Sequence, residues 1–77
     1  MKDQTEYQEA LGRAIAARRE KLGYSQDKLA RTMGVDTDYV AFVEDGKNDL
    51  ELSELIVISR ALQMPLSTLL ALAEAGI

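Results

Sequence analysis

The chain has no cysteine and no histidine among its 77 residues. Disulfide frameworks, thiolate nucleophiles, zinc fingers and imidazole acid-base catalysis are therefore excluded together. There is one proline and there are five glycines, with no Ser/Gly-rich linker, low-complexity tract or internal repeat. No apolar run approaches the roughly 18 to 20 residues that span a bilayer. The opening "MKDQTEYQEA" is too acidic and polar for a signal peptide. These absences lead us to expect a cytoplasmic protein with no membrane partner. No Gly-rich phosphate loop, nucleophile elbow or pocket carboxylate pair is legible, so neither an enzyme nor a cofactor is expected.

What is present is one modest core. A chain of this length with 47% apolar residues is expected to form a single domain over residues 1–77, its core spanning about 9–72. The net charge of −4 has the wrong sign for a protein that attracts nucleic acid by bulk charge. Its distribution is uneven. Between Arg13 and Arg31, six bases (Arg13, Arg18, Arg19, Lys21, Lys28, Arg31) face only Glu20 and Asp27, a local balance of +4. Between Asp36 and Glu54, seven acids (Asp36, Asp38, Glu44, Asp45, Asp49, Glu51, Glu54) face Lys47 alone, a balance of −6. The cluster Asp45, Asp49, Glu51 and Glu54 lacks the alternating acidic loop of a calcium site and reads as a solvated face.

Periodicity predicts five helices and no alternating strand, an all-α bundle. Thr5 and Gln8 have capping-box spacing, after which Leu11, Ile15, Arg18 and Leu22 trace one face until Gly23. Ser25 can cap a second helix, about residues 25–33, with Leu29, Ala30 and Met33 inward and Gly34 ending it. Asp36 can cap a third, about residues 36–45, with Val40 and Val43 inward and Gly46 closing it. Leu55, Ile56, Ile58, Ala61 and Leu62 place a fourth near Ser53 to Gln63, and Pro65 precedes a fifth from Leu66 to about Ala75.

Helices two and three are joined across "MGVD", the spacing of a helix-turn-helix. Ala30 permits close approach, Gly34 a left-handed turn, and Val35, Val40 and Val43 the packing of one helix on the other. The stretch "LGRAIAARREKLGYSQDKLARTMGVDTDYVAFVEDGKN" followed by "LSELIVISRALQM" resembles the phage-repressor, Cro-like or Xre-like helix-turn-helix domain over roughly residues 9 to 72. The resemblance rests on helix one, the Ser25-Gln26 opening, Ala30, Gly34, Glu44, Gly46 and the "RAL" of helix four, in order.

This resemblance implies a compact, lambda-repressor-like five-helix domain that regulates transcription as a homodimer on double-stranded DNA with two half-sites. The family's contact positions map onto Gln26, onto Thr37, Asp38, Ala41 and Phe42 of helix three, and onto Lys47 and Asn48 after it. Arg13, Arg18, Arg19, Lys28 and Arg31 are candidates for flanking phosphates. In place of the Ser, Arg, Gln, Asn or Lys often found in helix three of the family, this chain carries acids, and phosphates repel carboxylates.

Several residues admit two readings. Asp36 and Asp38 can cap the helix and oppose its dipole, or Asp38 can accept a bond from cytosine N4. Thr37 can touch a thymine methyl or act as a spacer. Phe42 points outward, toward thymine methyls or a protein interface, or folds against helix four or the "KNDL" loop. Arg18 and Arg19 can serve only the dipole of helix one. Val57, Leu72 and Ile77 are apolar where a lone domain tends to be polar, which suggests a homodimer through helices four and five. The alternative function is protein recognition, with the acidic third helix offering Tyr39 and Phe42 to a basic partner.

Overall fold

The computed structural model describes residues 4–76. Five helices form, α1 (Gln4–Lys21), α2 (Gln26–Met33), α3 (Thr37–Glu44), α4 (Leu52–Ala61) and α5 (Leu66–Ala75), with no strand among the described residues. α1 packs on α3 and α5, α2 packs on α3 and α4, and α4 packs on α5. The core is built from every helix and from the end of α4: Ile15, Leu29, Ala30, Val40, Val43, Ile58, Leu69 and, just past α4, Leu62 are all buried.

The local signals that stop and start α2 and α3 are chemical. Ser25 adopts an extended backbone and its Oγ accepts from the Lys28 N–H at 3.0 Å. Asp36 does the same for α3, accepting from the Tyr39 N–H at 2.9 Å. Each side chain satisfies a backbone donor that the first turn leaves unpaired. Between them Gly34 has φ +75°, which lets the Val35 N–H reach the Ala30 carbonyl at 3.0 Å. A side chain at Gly34 would strain this left-handed turn. The result is an α2–α3 angle fixed by backbone bonds and by buried Ala30, Val40 and Val43.

A second glycine fixes how closely α1 approaches α3. A Cβ at Gly12 would lie 2.6 Å from the Glu44 carbonyl oxygen and 2.7 Å from that of Val43. Only hydrogen fits there, so α1 lies directly against the end of α3.

Three expectations need correction. Thr5 does not cap α1, because the helix already includes Gln4 and has Glu6 in its first turn, where a carboxylate opposes the dipole. α4 begins at Leu52, one residue early, because the Glu54 carboxylate reaches back to the Glu51 N–H at 3.0 Å; it stops at Ala61, because Gln63 turns left-handed with φ 58°. Ile56 is exposed rather than inward. Ile58 and Leu62, four apart, face the core, and Ile56 lies about 200° round the helix from Ile58. It shares the outer face with Leu52.

Candidate nucleic-acid interface

The helix-turn-helix is tied to α1 by one polar network. Arg19, in the last turn of α1, donates from Nε to Glu44 Oε2 at 2.7 Å and from Nη2 to Glu44 Oε1 at 3.1 Å. Its Nη1 donates to the Tyr24 carbonyl at 2.7 Å. Gln26, the first residue of α2, donates from Nε2 to the same Glu44 Oε1 at 2.9 Å. The Arg19 and Glu44 side chains retain only 14% and 7% of their exposure. Glu44 thus joins α1, the start of α2 and the end of α3 through a single carboxylate. The hydrogen bonds to Glu44 raise the Arg19 pKa above its ordinary value, against the opposing effect of burial.

A carboxylate only accepts hydrogen bonds, so the Gln26 amide nitrogen must face Glu44 and its oxygen is turned away. At the other end of α3, Thr37 donates to Asp27 Oδ1 at 3.0 Å, and Asp27 Oδ2 pairs with Arg31 Nε at 3.1 Å. Asp27 therefore links α2 to the first residue of α3 at the surface.

On the far side of α3, Tyr39 is half-buried and donates its hydroxyl to Glu54 on α4. Burial and the hydrogen-bonded Glu54 carboxylate together raise the Tyr39 pKa well above the ordinary phenol value. The Tyr39 hydroxyl and the Glu51 N–H lower that of Glu54. The expectation that Tyr39 stands exposed for a protein partner is corrected by this packing. Its ring packs against the buried core and its hydroxyl is taken up by Glu54.

Phe42 does project outward and is 50% exposed. Asp38 is exposed, while Thr37 and Ala41 are partly covered. Gln26, Thr37, Asp38, Ala41 and Phe42 occupy the start of α2 and the helix it is bonded to. Lys47 follows immediately, its N–H bonded to the Phe42 carbonyl at 3.3 Å and its side chain exposed. Lys28 is exposed on α2, its ammonium 5.7 Å from the centre of the Tyr24 ring.

Other expected contacts lie elsewhere. Arg18 donates from Nε to the Leu62 carbonyl at 2.9 Å and from Nη2 to the Gln63 carbonyl at 3.2 Å. Its guanidinium serves the end of α4, where unpaired carbonyls collect. Arg13 lines a groove of about 420 Å³ with Ala10, Ala14 and Leu72, between α1 and α5. Asn48 lines a separate groove of about 400 Å³ with Tyr7, Leu11 and Leu70. Val57 and Leu72 are both about half exposed, at 47% and 49%, yet they line different grooves, Val57 lying with Met33, Val35 and Tyr39. Ile77 lies outside the described residues.

Sequence reading missed the positions that organise this surface. It counted Arg19 and Arg31 as free bases, whereas Glu44 and Asp27 engage them. Arg19 and Glu44 are 25 residues apart, beyond any helical spacing rule. Asp27 and Arg31, four apart on a helix, did carry a legible ion-pair signal. Among the described residues no group of acids and imidazoles or thiols could hold a metal, and no single helix is long and apolar enough to cross a membrane.

A helix-turn-helix family model matches residues 15–69. No curated protein matches the chain. Among solved structures the chain is similar to the clp gene regulator ClgR from C. glutamicum, with a TM-score of 0.87 and 26% identity over 91% of this chain and 90% of that one. It is also similar to the restriction-modification controller protein C.AhdI from Aeromonas hydrophila, with a TM-score of 0.82 and 28% identity over 88% and 99% of the two chains. A third similar structure is the hypothetical transcription factor NHTF from Neisseria, with a TM-score of 0.80 and 30% identity over 91% and 80%.

Proposed function

The chain belongs to the helix-turn-helix family, and from that membership we propose that it is a sequence-specific transcriptional regulator that lays α3 in the major groove of DNA as a homodimer. It is a DNA-binding regulator rather than an enzyme, as its family and the regulators it resembles indicate. The observation that carries the finer reading is the Glu44 carboxylate. It fixes α3 to α1 and to Gln26 from the inner side and leaves Asp38 and Phe42 outward on a rigid support. A recognition surface works by this preorganisation, since flexible contacts must be ordered on binding.

Gln26, Lys28, Lys47 and Arg31 are the groups we assign to the sugar-phosphate backbone around that helix. With so few bases and a net charge of −4, affinity for random DNA is weak and the discrimination against it is high. Each phosphate neutralised contributes roughly 0.9 to the salt slope, so a shallow slope is expected. For the dimer we favour α4, where Leu52, Ile56 and Val57 are exposed apolar residues on one short helix, an arrangement suited to a self-complementary two-fold contact.

Selection from a random duplex library, followed by fluorescence anisotropy titration at several salt concentrations, tests this reading. A two-fold symmetric site bound far above random sequence supports it. Flat enrichment with no binding at low salt overturns it and leaves the acidic α3 surface to a basic protein partner.

A further inference from the structure

The acids of α3 are unequally committed. Asp36 caps the helix through the Tyr39 N–H. Glu44 is engaged by Arg19 and Gln26. Asp38 lies in the first turn and is exposed, and no hydrogen bond or ion pair among the described residues holds its carboxylate. Phe42 stands four residues further on and is half exposed, so the two side chains lie on one face of the helix with Cβ atoms about 6 Å apart. Beside them lie Thr37, whose hydroxyl is bonded to Asp27, and the small Ala41, and exposed Asp45 follows at the C-terminal end of the helix. At the N-terminal half of the ridge the outward groups are one uncommitted hydrogen-bond acceptor, Asp38, and one apolar ring, Phe42.

The chemistry of the major groove restricts what such a ridge can meet. A carboxylate is repelled by phosphates and by the acceptor edges of guanine and thymine. Adenine presents its N6 amino group beside the N7 acceptor, which also repels it. Cytosine alone presents an amino donor, N4, with no acceptor of its own next to it. A phenyl ring finds its partner in the C5 methyl group of thymine. The spacing of about 6 Å matches roughly two steps of the approximately 3.4 Å rise along a strand.

Resting on the reading of α3 as the groove-lying helix, we propose that Asp38 and Phe42 together set operator specificity, Asp38 accepting from the N4 amino group of a cytosine and Phe42 packing on the C5 methyl of a thymine one or two steps away. The acid is then a selective group. It discriminates against three of the four bases and against non-specific attachment to phosphate, at the cost of a weaker overall attraction.

The test repeats the library selection with the parent chain, Asp38→Ala, Asp38→Asn and Phe42→Ala, each checked for folding by circular dichroism. The parent is expected to select a fixed cytosine in each half-site. In Asp38→Ala that position becomes indifferent, by about tenfold in relative affinity, while the other positions persist, and Asp38→Asn moves the preference toward adenine, which an amide pairs with through N6 and N7. Replacing the selected thymine by deoxyuridine, which lacks only the methyl group, is expected to weaken the parent several-fold and Phe42→Ala hardly at all. If the parent selects a site that Asp38→Ala selects unchanged, with only a lower melting temperature, Asp38 serves the helix dipole and the inference fails while the regulator reading stands. If the parent and Phe42→Ala lose equally on removing the methyl, the thymine contact is overturned. If the parent selects no site, the regulator reading falls and this inference with it.

Discussion

Replacing Glu44 by alanine tests the joint that holds the recognition helix. The change removes both bonds from Arg19 and the one from Gln26, leaving a guanidinium that is 14% exposed with the Tyr24 carbonyl as its remaining partner. Breaking a fully buried ion pair from one side costs about 3 to 5 kcal/mol. Because Arg19 keeps one bond and a little solvent, we expect about 2 to 4 kcal/mol. A domain of this length has a total stability of roughly 4 to 12 kcal/mol, so the variant is marginal. At about 4 to 8 °C per kcal/mol for small domains, the midpoint falls by roughly 10 to 30 °C. Thermal unfolding followed by far-UV circular dichroism measures it. The charge account makes a second demand: Arg19→Met combined with Glu44→Leu, which removes both charges and keeps apolar volume, recovers most of the loss. A Glu44→Ala midpoint within the scatter of surface substitutions, about 0.5 kcal/mol, would refute the reasoning. So would a double variant no better than Glu44→Ala.

Three further outcomes follow from the same structure. Gly12→Ala places a methyl group 2.6 Å from a backbone oxygen of α3, and chemical denaturation is expected to show a loss of about 1 to 3 kcal/mol. Tyr39→Phe removes the bond to Glu54 and is expected to cost about 1 kcal/mol near neutrality. Glu54 is held below its unfolded value of 4.5, so that contribution is complete above about this pH and is lost as pH falls through the lowered value. Tyr39 is raised above its unfolded value of 10.0, so the neutral hydroxyl favours folding below that pH and the advantage is lost as pH rises beyond it. Melting curves of parent and variant across pH are therefore expected to converge at both extremes. Lys47→Ala is expected to weaken binding to the selected operator and to reduce its salt slope by about 0.9 if Lys47 meets one phosphate, as read by anisotropy.

The helices and their junctions were legible because their signals are local. Ser25 and Asp36 cap, Gly34 turns, and Val40 and Val43 repeat at helical spacing, each within a few residues of what it controls. Ile56 was misplaced because the apolar run Leu55 to Ile58 surrounds its helix on all sides, and only packing decides which residues are covered. For Phe42 the sequence left open an outward ring or one folded down on helix four or the following loop, and the side chain is half exposed. Apart from the Asp27–Arg31 pair, four residues apart on one helix, the commitments of the charged groups were not legible. Arg18 reaches carbonyls 44 and 45 residues away, Arg19 a carboxylate 25 away, and Tyr39 a carboxylate on the next helix. A count of bases overstates the positive surface when the fold joins them to acids, and here that correction leaves Lys28 and Lys47 as the bases near α3 with no acidic partner among the described residues.

Amide chemical-shift mapping of the labelled protein, titrated with its selected operator, addresses the central claim most directly. The account predicts that the largest changes cluster at Gln26, Thr37, Asp38, Ala41, Phe42 and Lys47, with Arg18 and the α1–α5 groove around Leu72 little affected. Changes concentrated on α1 and α5, with α3 silent, would contradict it.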